Sequence, residues 1–248
     1  VRRRWAVAGA WAAMMAALLL GCGPAKSGAE DGGATAHQSV AEPDKNVLTF
    51  TYHRHSGDNY IDQQLFIRNT DRDSVTPVLA FTALDRHGHR LPGVQVRTVY
   101  GSDSGRLVVP YGWGFDILRF SGPGKHQVYD VRVAVTHLAT ARVRANIHPV
   151  TTQPLNAAGQ TASKFSRFTA VRVTNPDAFE VSVRVAYLVY DQPAKGETQQ
   201  AISVTPVGGL VRVPAHGTGV VKVTGGAVQA VARYSGGPAV SVKAYNSQ

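Results

Sequence analysis

Sulfur and acid are what this sequence has least of. Its 248 residues include one cysteine, Cys22, and two methionines, and 16 Asp and Glu stand against 26 Lys and Arg. One thiol cannot close an intramolecular disulfide, nor supply the several thiolates that a cysteine-rich zinc site or an iron–sulfur cluster takes from a chain. Beyond Lys45 no stretch with helical periodicity runs longer than two turns. The familiar catalytic motifs are missing too. The nearest approach to a Gly-x-Ser-x-Gly nucleophile turn, Gly101-Ser102-Asp103-Ser104-Gly105, has Asp at its centre, and neither Ser-x-x-Lys nor a Gly-x-x-x-x-Gly-Lys phosphate loop occurs. The expectation is a protein that is not an enzyme and carries no cofactor. What is present is core material: 44% of residues are apolar and 17% charged, too apolar for a disordered chain and enough for one large domain or two ordinary ones.

The first 21 residues have the layout of a signal peptide: Arg2, Arg3 and Arg4, then an uncharged run from Ala6 to Gly21. Sixteen residues fall short of the roughly 20 that a spanning helix needs. The end of the run, Leu19-Leu20-Gly21-Cys22, resembles the lipobox of bacterial lipoproteins. That resemblance implies cleavage before Cys22, acylation of its thiol with palmitate-type chains, and residence at the extracytoplasmic face of the cell membrane. Each buried methylene contributes about 0.8 kcal/mol, so two or three acyl chains anchor a protein durably. Loss of the leader removes three arginines and leaves a formal +7, a charge suited to anionic headgroups or anionic envelope polymers. Nucleic acid is not an expected partner outside the cytoplasm.

Residues 22–45 are Gly, Ala, Ser, Pro and mixed charge, with Val40 the one large aliphatic. They read as a disordered tether with a reach of roughly 25 Å. From residue 46 onward the pattern becomes short β-branched and aromatic runs with period-two alternation, as in Val47 to Tyr52, Val94 to Tyr100, Val131 to Val135, Val181 to Tyr187 and Val240 to Tyr245. Arg or Lys occupies the alternate position in Val131-Arg132-Val133, Val171-Arg172-Val173, Val183-Arg184-Val185, Val211-Arg212-Val213 and Val242-Lys243-Ala244, which predicts one buried and one wet face per strand.

The segment also repeats. Asn69 and Asp71 recur as Asn175 and Asp177, Pro110 as Pro214, and Gly112 as Gly217, at offsets of 106, 106, 104 and 105. Asn and Asp end strands by capping turns with their own side chains, so these markers are read as structural rather than catalytic. Two copies of about 100 residues, with strands at intervals of about 8 to 12, have the size of immunoglobulin-like sandwiches. The expected architecture is all-β: two tandem immunoglobulin-like β-sandwiches, 46–148 and 149–248, after signal peptide 1–21 and tether 22–45. A short stiff joint is expected at His148 to Pro154. The order of markers, with Tyr187-Leu188-Val189-Tyr190-Asp191 the nearest local match, resembles the FxLYD-type modules of bacterial secreted lipoproteins; the first copy departs from it at Phe81-Thr82-Ala83-Leu84-Asp85. The resemblance implies fold and location, and no activity.

Trp113 is the one Trp after the leader. It lies between Gly112 and Gly114 in a predicted loop where the second copy has Thr218. With Tyr111 and Phe115 beside it, Trp113 is a candidate platform for a sugar ring or a protein partner, or else a cap on the first sandwich; Tyr111 and Trp113 are the candidate ligand-binding residues. No metal site is assigned. His53 and His55 on one strand face and His87 and His89 in one turn give an alternative, binding of a metal or small ligand, although Arg54, Arg86 and Arg90 beside them disfavour a dication. The function expected is a non-enzymatic binding or scaffolding lipoprotein, held in the membrane through Cys22, with another envelope protein or an anionic polymer as partner.

Overall fold

The computed structural model describes residues 44–56, 61–237 and 239–248; the leader, Cys22 and the tether up to residue 43 lie outside them. The described residues belong to one compact unit. Runs rich in Val, Thr and aromatics extend as strands where the alternation predicts them. In the first half these are β1 (Leu48–His53), β2 (Gln64–Asn69), β3 (Val75–Leu84), β4 (Gln95–Thr98), β5 (Gly112–Ser121) and β6 (Asp130–Thr140). In the second they are β7 (Thr151–Leu155), β8 (Ala170–Thr174), β9 (Val181–Tyr190), β10 (Ala201–Val213), β11 (Thr218–Lys222) and β12 (Val240–Asn246). The fold is all-β. Sheets β1-β2-β5-β4 and β3-β6 come from the first half, and β7-β8-β11 and β10-β9-β12 from the second, with every pairing antiparallel.

The repeat reappears as register. β2 and β5 place Arg68 opposite Trp113, and β8 and β11 place Thr174 opposite Thr218. The buried Asn69 amide donates to the carbonyls of Asp73 and Val109 while its oxygen accepts the Asp71 N–H. Asn175 does the same with Phe179, Val213 and Pro214, and accepts from Asp177. Each amide thereby satisfies carbonyls that the turn would otherwise bury unpaired.

The halves differ in where the strand after the β3 or β9 hairpin goes. β4 joins β5, whereas β10 pairs with β9, broken by a bulge between Val207 and Val211. Gly208 sits in that bulge at φ +64°, and a Cβ there would lie 2.6 Å from Val221. A nine-residue helix, α1 (Gly226–Tyr234), exceeds the two-turn limit expected from the sequence. It buries Ala227 and Val231, four residues apart, in the second core.

The expected wet face of β9 is not wet. Val181, Val183, Val185, Tyr187 and Val189 point into the second half's core, while Ala186, Leu188 and Tyr190, on the other face, belong to the first half's core. A strand buried on both faces reads as continuous apolar sequence, and Val185-Ala186-Tyr187-Leu188-Val189-Tyr190 does. The halves are stitched elsewhere too. Leu107 bridges Ser247, the Val108 N–H donates to the Asn246 carbonyl at 3.0 Å, and the Arg119 guanidinium donates to the carbonyls of Ala201 and Ile202. Pro154, expected in the joint, instead lies in β7, an edge strand where a missing N–H is tolerated.

Candidate functional site

The outer face of β5 changes character along its length. Trp113, Phe115, Ile117 and Arg119 share it, since alternate residues of a strand point the same way. Arg119 is held against β10 and Ile117 is 1% exposed, yet Phe115 is 40% and Trp113 60% exposed. Two aromatic rings are left uncovered beside the second half. Trp113 lies in the strand, not in the expected loop. The flanking glycines that suggested a turn serve the packing: Gly112 takes φ +94° at the strand start, and a Cβ on Gly114 would meet Val109 at 3.0 Å. Arg68, opposite on β2, holds its guanidinium 5.7 Å from the indole centroid.

A hollow of about 380 Å³ opens beside these rings. Its walls include Trp113, Phe115, Tyr100, Tyr245, Lys243 and segment 146–152. A second hollow, about 660 Å³, adjoins it with Phe115 and Lys243 in both linings, and adds Phe66, Gln64, Lys164 and Tyr190. Both volumes fall in the range of ligand sites. Tyr100 stacks on Tyr245 with centroids 4.6 Å apart and meets Phe115 edge-on at 5.7 Å. Tyr111 is 59% exposed but lines neither hollow.

Two buried carboxylates fix the frame. Asp116, on the inner face of β5, accepts the N–H groups of Val99, Tyr100 and Ser102, which pins the loop that carries Tyr100. Burial pushes its carboxyl up to about 6 against the pull of those N–H groups. Asp177 clamps the segment between the halves: it accepts the Ile147 N–H at 2.8 Å and pairs with His148 Nδ1 at 2.6 Å. Burial raises its pKa, but the His148, Ile147 and Asn146 hydrogen bonds outweigh that and hold it below the usual carboxylate value. A histidine oriented by a carboxylate is half of a hydrolytic triad, but the other nitrogen of His148 has no hydrogen-bond partner among the described residues.

His53 packs on the Phe66 ring and His55 approaches Asp62 at 3.8 Å, so the first pair has different partners; the rings of His87 and His89 lie 6.0 Å apart. Among the described residues no three His, Cys, Asp or Glu side chains converge as a metal site would require. Sequence reasoning missed Lys164, Lys243 and the His148–Asp177 pair. The lysine in Val242-Lys243-Ala244 read as a solvated alternate position, and His148 and Asp177 are 29 residues apart. No protein-family model, curated protein or solved structure matches the chain.

Proposed function

We propose that this is a membrane-anchored envelope lipoprotein that works by binding rather than by catalysis, with the cleft beside Trp113 as its recognition surface. The observation that carries the reading is the bare end of β5: Trp113 and Phe115 stay exposed on a face whose continuation at Ile117 is sealed. Exposed aromatics beside a concavity are the usual anchors of recognition. Rings, amides and lysines share the lining with aliphatic side chains, and among the described residues no carboxylate joins them. Anchoring rests on the leader and on Leu19-Leu20-Gly21-Cys22. The order 1–21, 22–45, 46–148 and 149–248 then makes an address, an anchored tether and two immunoglobulin-like modules carrying the cleft.

The test has two arms. Cys22→Ser should move the protein from the membrane fraction into the medium, and persistent membrane association would refute anchoring. Capture from crosslinked cells should give an envelope partner with the parent chain that is lost with Trp113→Ala; capture unchanged by the substitution would refute the surface.

A further inference from the structure

Among the described residues, nothing answers the positive charge of the cleft. Lys164 and Lys243 line the two hollows, and among the described residues no Asp or Glu does. Neither ammonium has a salt bridge or hydrogen bond among the described residues; Lys164 lies 5.1 Å from the Phe165 ring centroid. Burial, and then the charge of Lys164, hold the pKa of Lys243 below the usual lysine value, so the two lysines feel each other. The carboxylates of adjacent segments are committed: Asp62 accepts the N–H groups of Ser56 and Gln199, Asp177 holds His148, and Asp116 is fully buried. Tyr100 and Tyr190 have phenol pKa values raised by burial, so neither wall adds negative charge near neutral pH. Two like charges in one concave wall focus a positive potential into it.

The other half of the chemistry is flat and apolar. Trp113, Phe115, Phe66 and Tyr245 offer ring faces and edges along the adjoining hollows. A ligand that satisfies both features carries apolar ring faces and regularly placed anionic groups. We infer that the cleft binds an acidic saccharide chain, with its sugar faces on Trp113 and Phe115 and its carboxylates or phosphates paired with Lys164 and Lys243. The inference rests on the binding-module reading and names its ligand class.

The experiment titrates the full chain with polygalacturonate and phosphomannan, and with dextran as the uncharged saccharide and polyphosphate as the ring-free polyanion. At least one acidic saccharide should bind at least tenfold more tightly than dextran. Lys164→Gln, an exposed position, and Trp113→Ala should each weaken that binding at least tenfold, whereas Lys222→Gln, which lines neither hollow, should not. Lys243→Gln is added, with near-UV circular dichroism confirming that it folds. Equal affinity for dextran, binding indifferent to Lys164→Gln and Trp113→Ala, or polyphosphate bound as tightly and with no dependence on Trp113 would overturn the assignment. If the saccharides fail while crosslinked capture still depends on Trp113, the ligand class falls and the binding module stands. If capture is indifferent as well, both fall.

Discussion

Asn69 and Asn175 hold their turns in the same way, but the aspartates two residues later have taken different work. Asp71 caps its own turn through the Asp73 N–H, whereas Asp177 reaches out to Ile147 and His148 and fixes the entry to its half. Trp113 and Thr218 diverge similarly: equivalent register positions carry an exposed indole in one half and a small hydroxyl in the other. What the halves share builds strands and turns. Among what they do not share, Trp113 and the His148 held by Asp177 line one cleft.

The comparison breaks most visibly at β9. Leu188 belongs by sequence to the second half and by packing to the first half's core, so Leu188→Ala should cost about 4 kcal/mol and loosen both halves together. Hydrogen exchange of β2 and β8 amides checks this, and protection lost in only one half would contradict it. Next in size is pH. The raised pKa of Asp116 means that ionisation is disfavoured in the folded state, so its stabilising contribution is full below pH 3.8 and lost as pH rises through about 6. The loss is on the order of 3 kcal/mol. Asp177 has the opposite sign: its pKa is depressed, so its contribution is present above 3.8 and falls away as pH drops further. Urea titrations from pH 3 to 7 on the parent, Asp116→Asn and Asp177→Asn separate the two windows; the same pH slope with and without Asp116 would defeat the first assignment.

Asn69→Ala and Asn175→Ala sharpen the likeness. Each strands buried carbonyls, and each should cost about 2 kcal/mol. A cost confined to one of them in thermal melts would mean the turns are not equivalent. Trp113→Ala and Thr218→Ala close the series with the smallest effect on stability. Each should change it by less than about 1 kcal/mol because Trp113 is 60% exposed and Thr218 is exposed as well. A loss of several kcal/mol at Trp113 would make it a structural cap.

Local chemistry was legible in the sequence where it acts locally. Val181 to Tyr187 alternates as a strand should, and Asn175 marks its turn because the amide bonds within four residues as well as across to β10. Associations across distance were not. Arg184 suggested a solvated face on β9, and only the three-dimensional packing shows that Leu188 and Tyr190 leave that face buried, while Lys243 on β12 is exposed as its alternation suggested. Trp113 was visible as an anomaly in the repeat, but its glycine neighbours signalled a loop because glycine serves turns and close packing alike. Tyr111, two residues earlier, lines neither hollow, and no pattern in the chain separates it from Trp113.

The account turns on whether recognition occurs at the bare end of β5. The most direct measurement places a photoreactive phenylalanine at position 113 of the full chain in intact cells, with Tyr129, 55% exposed and outside the cleft, as the matched site. A specific envelope adduct at position 113 and none at position 129 is the expected result. Equal labelling at both positions, or none at position 113, would contradict the account.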